Sequence, residues 1–231
     1  MNIHSAIIKG PKKKKLQDAL GIINQKYYSL FIVADGLGSS KNSDYGAKKA
    51  IVSVEKAVNQ WRKLDKNDNK VLIQLIHFYW NLLIGDSGLE KKDCLTTCLF
   101  AYIDKSNKKI MLGQLGDGLL LAKSKGEAVF VKSTDDYNFT KSLGSSKSYN
   151  DWNIKFIDYD TNNFTLLVTT DGISEDLVEN KEDEFAEAII QKMSKLKRNK
   201  RNNYLKQLLE NWPTKFHSDD KTICIAWENK K

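Results

Sequence analysis

Two apolar runs in this chain end in an Asp-Gly pair: SLFIVADG closes at Asp35-Gly36 and FTLLVTTDG at Asp171-Gly172. A third segment, HSDDKTICIAW, reverses the order and sets Asp219-Asp220 directly ahead of an apolar run. Carboxylates and backbone carbonyls suit hard divalent cations such as Mg²⁺ and Mn²⁺, which take oxygen in preference to imidazole or thiolate. Three acidic sites at strand ends, far apart in sequence, suggest ligands that converge in the fold. Further acids stand in similar places: Asp18 after Gln17, Asp93 ahead of Thr96-Thr97, and Asp117 between Gly116 and Gly118. A lone Asp-Gly signals only a turn, and Asp117 in its Gly-flanked turn and Asp220 read mainly as turn hydrogen bonders. The ordered series makes the chain an enzyme candidate.

The elements around these acids follow from composition and period. Stretches rich in β-branched and aromatic residues predict strands over 3–8, 27–34, 96–103, 109–115, 119–123, 128–132, 153–157, 164–169 and 222–227. Between them, Ala47, Ala50, Ile51, Val54, Val58 and Trp61 recur at helical spacing, predicting a helix over 43–64 with Ser43 as its N-cap. A second apolar face predicts a helix over 69–84, and two more are expected over 183–196 and 203–211, the last stopped near Pro213. The polar stretch 133–152 reads as an irregular flap. Strands, a helix pair, many strands, a helix pair and a last strand do not alternate as a doubly wound sheet does. The expectation is an α+β sandwich of mostly antiparallel strands, in a single domain over 1–231.

Bulk properties narrow the function. At 231 residues and 41% hydrophobic, the chain suits one substantial core. No apolar run approaches the roughly 20 residues that span a bilayer. The N-terminus MNIHSAIIKGPKKKK places its charge after the apolar stretch, whereas a secretory signal places charge first, so a cytoplasmic protein is expected. Cys94, Cys98 and Cys224 are odd in number, and Cys98 and Cys224 sit in apolar strands as buried thiols. The three histidines, His4, His77 and His217, are not paired at ligand spacing, which disfavours a histidine-rich zinc hydrolase. The net charge of +8 is concentrated in Lys12–Lys15 and in KLKRNKRNN over 195–203, read as solvated surface. Nucleic acid is not expected as a partner.

Taken in order, ADGLGS, LTTCLFAYI, LGQLGDGLLLA, VTTDGISEDL and DDKTICIAW resemble the segments of the metal-dependent protein phosphatases of type 2C, in a bacterial-type branch. The resemblance runs from Gly10 to Trp227 and implies a four-layer αββα sandwich of two mainly antiparallel β-sheets flanked by helix pairs. It also implies a metal-dependent serine/threonine protein phosphatase, hydrolysing phosphoprotein monoesters by in-line attack of a hydroxide that bridges two Mg²⁺ or Mn²⁺ ions. Carried onto this chain, Asp35 bridges the metals, the Gly36 carbonyl binds one, and Asp171 and Asp219 complete the first. Asp18 acts near the second metal through a water, and Asp93 is the candidate ligand for a third. Lys13 stands where the family has a phosphate-binding arginine, without that residue's bidentate fork. Gln17 replaces an acidic ligand, Leu37 a histidine, and Leu119 an arginine. These departures keep open a second reading, a pseudophosphatase or regulatory phosphoprotein-binding module with weak or no catalysis. By analogy, the expected partners are a phosphorylated protein substrate and a cognate Ser/Thr kinase, with no membrane and a monomeric chain.

Overall fold

Every strand of this protein that carries a candidate ligand at its end is apolar on both faces or nearly so, and the architecture explains why. The computed structural model describes residues 1–64, 68–132, 140–213 and 218–229. In chain order it forms β1 (Asn2–Ile8), β2 (Ala19–Asn24), β3 (Tyr28–Ala34), α1 (Ser43–Trp61), α2 (Asn69–Gly85), β4 (Cys98–Asp104), β5 (Lys109–Leu115), β6 (Leu119–Ser124) and β7 (Glu127–Lys132). There follow β8 (Asn153–Asp158), β9 (Asn163–Thr169), α3 (Asp171–Ser174), α4 (Glu182–Ser194), α5 (Arg198–Glu210) and β10 (Lys221–Asn229). Two five-stranded sheets result, ordered β1-β10-β9-β6-β7 and β2-β3-β4-β5-β8. Every pairing in them is antiparallel.

The period of two in each strand divides its side chains between two cores. In β3, Phe31 and Val33 face the other sheet and meet Leu99, Leu112, Leu120, Val168 and Cys224. Leu30 and Ile32, on the opposite face, pack with Val54, Trp61, Ile76 and Trp80 of α1 and α2. On the far side, Ile223 and Ile225 of β10 meet Ile190, Met193, Leu205 and Leu209 of α4 and α5. Helices, sheet, sheet and helices therefore stack in four layers, as the resemblance implied. Each fully buried Leu, Ile, Val or Phe contributes about 1.5–3 kcal/mol, so the three cores together fix how the sheets face one another.

Several boundaries differ from expectation. β2 and α3 were not anticipated: β2, ALGIIN, pairs with β3 but carries Gly21 in its middle, a residue depleted in strands that interrupts the apolar run. α1 ends at Trp61, and its N-cap is Asn42; Ser43 is the first helical residue, and its hydroxyl instead serves a tertiary bond described below. α5 begins at Arg198, five residues early. Its first turn has no apolar period but is held to β1, where Arg201 Nη1 donates to Asn2 Oδ1 at 2.9 Å and His4 Nδ1 lies 2.7 Å from Asn202 Oδ1. Residues 133–139 of the expected flap, and His217, lie outside the described residues. From residue 140 to 152 the regular structure is a bridge from Leu143 to Thr96 and a 3₁₀ turn, Tyr149–Asp151.

Candidate metal centre

The register sets one end of both sheets as the meeting point. Ala19 of β2 pairs with Ala34 of β3, while Thr169 of β9 pairs with both Leu119 of β6 and Ile223 of β10. Asp18, Asp35, Asp117, Asp171 and Asp219 each lie within two residues of those ends.

Asp35 is fixed through its backbone. Its N–H donates to Thr97 Oγ1 at 2.9 Å, and its carbonyl accepts from Thr97 N–H and Thr96 Oγ1, both at 2.8 Å. The Thr96-Thr97 pair at the entrance to β4 thus holds the residue from both sides. Asp117 sits on a turn whose flanking glycines have φ of 88° and 113°, a left-handed region that side chains rarely adopt. Gln114 Nε2 donates to the carbonyls of Gly116 and Gly118 at 2.9 and 3.2 Å, and Thr140 Oγ1 donates to Asp117 Oδ2 at 3.0 Å. Asp171 opens α3 and accepts from Gly172 N–H at 2.7 Å. One carboxylate oxygen from each of Asp35, Asp117 and Asp171 lies within 4.8 Å of the others.

Close approach explains the glycine of each Asp-Gly pair. A Cβ on Gly36 would stand 2.6 Å from the backbone of Ser43, and one on Gly172 would stand 2.0 Å from the Asp220 carbonyl oxygen. Any side chain there would push α1 or β10 away from the site.

Asp18 is buried, and its Oδ2 accepts from Thr222 Oγ1 at 2.6 Å and Thr170 Oγ1 at 2.9 Å. Its Oδ1 is buried with no hydrogen-bonding partner among the described residues, and Asp35 is the acid it interacts with most strongly. Burial pushes Asp18 up to about 6. Burial, followed by the charges of Asp171 and Asp18, raises Asp35 well above the usual carboxylate range. Asp171 is raised likewise by burial, then by Asp117, Asp18 and Asp219.

The remaining expected residues are less alike in placement. Asp219 stands partly exposed beside this group, with its Oδ1 2.9 Å from Lys13 Nζ. Lys13 also donates to Gln17 Oε1 at 3.2 Å, and Gln17 Nε2 donates to Ser43 Oγ at 2.6 Å. Gly36, the expected carbonyl ligand, sits directly after Asp35, its N–H donating to the Gln17 carbonyl at 3.3 Å. Asp93 ends a 3₁₀ turn, Lys91–Asp93, where its carbonyl accepts from Asn42 N–H at 2.7 Å. Asp93 is not in the three-carboxylate group; Asp117, read from sequence mainly as a turn residue, is. The flanking glycines of GDG were the available signal for Asp117, and they indicate a turn equally well. Thr170 and Thr222 gave no separate signal, because their work is hydrogen bonding across segments far apart in sequence.

Burial and neighbouring carboxylates raise both Asp35 and Asp171, and a cation among acids held this close together offsets their charge. Donors that are all oxygen, and an Asp18 oxygen with no donor of its own, fit a hard divalent cation.

Comparisons with known proteins agree with this geometry. The family model described as Protein phosphatase 2C matches residues 11–210. Among solved structures, a bacterial serine phosphatase superposes with a TM-score of 0.68 at 19% identity, covering 100% of this chain and 99% of that one. The S. agalactiae serine/threonine phosphatase gives 0.67 at 15%, covering 99% of both chains. RsbX in complex with magnesium gives 0.59 at 15%, covering 98% of this chain and 95% of that one. No curated protein sequence matches the chain. At these identities the structural likeness establishes the fold, and the family match carries the kinship.

Proposed function

The chain belongs to the protein phosphatase 2C family, and from that premise we propose that it is a metal-dependent serine/threonine phosphatase acting on phosphoprotein monoesters. The single observation that carries the reading is the convergence of Asp35, Asp117 and Asp171 within 4.8 Å. Asp35 and Asp171 would hold the cation with Asp117 as the third carboxylate, Asp18 as a neighbour acting through water, and Asp219 and the Gly36 carbonyl alongside. Asp93 is not one of these three carboxylates and stays the candidate ligand for a further ion. Divalent ions held there, Mg²⁺ or Mn²⁺, supply an acidified water as nucleophile and positive charge against the phosphoryl oxygens.

The chain's own residues do the positioning. Thr96 and Thr97 lock Asp35, while Thr170 and Thr222 lock Asp18, so the acids are preorganised before substrate arrives. Lys13 brings positive charge to the edge of the group, where it can meet a phosphoryl oxygen as a point charge. Cysteine nucleophiles are disfavoured: all three thiols are buried, and burial raises Cys98 and Cys224 far above the range in which a thiolate forms. The solved phosphatases of serine and threonine above support phosphoserine and phosphothreonine as the substrate class. A cognate protein kinase acting upstream, a cytoplasmic setting and a monomeric state belong to the same proposal. Among the described residues no helix is long and apolar enough to cross a membrane.

A second reading, a regulatory module with little catalysis, is favoured by one observation: the ligand-capable oxygen of Gln17 is taken by Lys13. Hydrolysis of p-nitrophenyl phosphate and of a phosphothreonine peptide separates the two. Turnover is expected with Mn²⁺, absent with EDTA, and reduced at least about 100-fold in Asp171→Asn, the scale at which loss of a transition-state contact acts. A folded wild-type protein that binds Mn²⁺ but turns over neither substrate would favour the regulatory reading.

A further inference from the structure

One side of the site already holds a positive charge. Lys13 Nζ lies 2.9 Å from Asp219 Oδ1 and donates to Gln17 Oε1 at 3.2 Å. The amide is fixed in that sense. Its Nε2 is committed to Ser43 Oγ at 2.6 Å, and an ammonium, which can only donate, must face the oxygen. Gln17 is buried, and the Lys13 side chain is only 22% exposed. From the other side, buried Lys221 donates from Nζ to the Asp219 carbonyl at 3.2 Å. Two ammonium groups thus flank Asp219, which stands outside the three-carboxylate group.

We propose that Lys13 is a built-in cation: its ammonium neutralises Asp219 against Gln17 in the place of a divalent ion, so that metal loads on the Asp35–Asp117–Asp171 side alone. The inference rests on reading the site as a metal centre. A divalent ion entering between Gln17 and Asp219 would meet a neutral amide oxygen where a carboxylate would bind it better. It would also meet a like charge within a few ångströms. The ammonium has three donors, two of them engaged here, and the third remains for an acceptor such as a phosphoryl oxygen.

Mn²⁺ stoichiometry and affinity, measured by calorimetry and by the EPR signal of free Mn²⁺, test this independently of turnover. The proteins are wild type, Lys13→Arg, Lys13→Met and Lys13→Met with Gln17→Glu, each checked for folding by circular dichroism. Lys13→Gln replaces Lys13→Met if the latter fails to fold. The double variant is expected to bind one more Mn²⁺ per chain than wild type. Lys13→Met should bind Mn²⁺ about tenfold tighter, the effect of one pK unit of charge interaction, and Lys13→Arg should match wild type. Equal stoichiometry and affinity in all four would overturn the inference and leave the metal centre standing. Absence of Mn²⁺ binding in every protein would overturn the metal-centre reading as well.

Discussion

Asp219 and Asp220 are neighbours in sequence with opposite work. Asp220 is buried, and its carboxylate closes the loop that carries Lys13, Gln17 and Asp18: Oδ1 accepts from Gly10 N–H at 2.7 Å and Oδ2 from Gln17 N–H at 2.6 Å. An Asp18 N–H at 3.4 Å completes the set. Asp220→Ala leaves buried donors without an acceptor, at about 1–3 kcal/mol each. The expected loss, read by urea unfolding, is therefore about 2–4 kcal/mol, and a loss under about 1 kcal/mol would mean that water replaces the carboxylate. By sequence alone Asp219 is a ligand candidate and Asp220 a hydrogen bonder in the turn ahead of the apolar run. That Asp220 bonds across more than 200 positions could not be read from its neighbours. Asp117 shows the same limit. Its flanking glycines announced a turn, and only the pairing of β6 with β9 brings that turn beside Asp171.

Elements place residues through contacts that local sequence does not print. The hairpin of β2 with β3 brings Asp18 to Asp35, yet Gly21 in the middle of β2 hides the strand from its own sequence. The first turn of α5 is polar throughout and owes its place to Asn2 and His4 of β1. Another such contact joins α2 to the start of β8, where Trp152 Nε1 donates to His77 Nε2 at 3.0 Å. That bond needs a neutral imidazole with its proton on Nδ1. Burial lowers the His77 pKa from its ordinary 6.5, with Asp151 opposing in part. The folded state then binds fewer protons than the unfolded state just below pH 6.5, so this contribution is present above that value and lost as pH falls. The raised acids of the site titrate in the same window with the opposite sign, so the His77 contribution is read against His77→Gln, which keeps an acceptor but does not titrate. From pH 7 toward pH 5.5, denaturant unfolding should show wild type losing stability relative to that variant. Identical slopes in the two proteins would remove His77 from the account.

At the scale of the whole molecule, two sheets with three cores bring five acids to one end, and the mutual repulsion of those acids is built into the fold. A ligand that binds only the folded state stabilises it by about 2.7 kcal/mol at 100 times its dissociation constant. For a domain of this size that corresponds to about 5–10 °C in melting temperature. Mn²⁺ at that concentration should therefore raise the melting temperature by this amount, EDTA should reverse it, and Asp171→Asn should respond far less. A wild-type melting temperature indifferent to Mn²⁺ would count against the centre. What the sequence by itself determined was the family resemblance, the α+β class and most strands, because residue type, period and ordered Asp-Gly pairs are local signals. Which acids stand together was decided by the tertiary structure. Asp117 joins Asp35 and Asp171, while Asp219 turns to Lys13. Register, sheet order and the reach of single side chains set those distances, and each depends on residues that only packing makes neighbours.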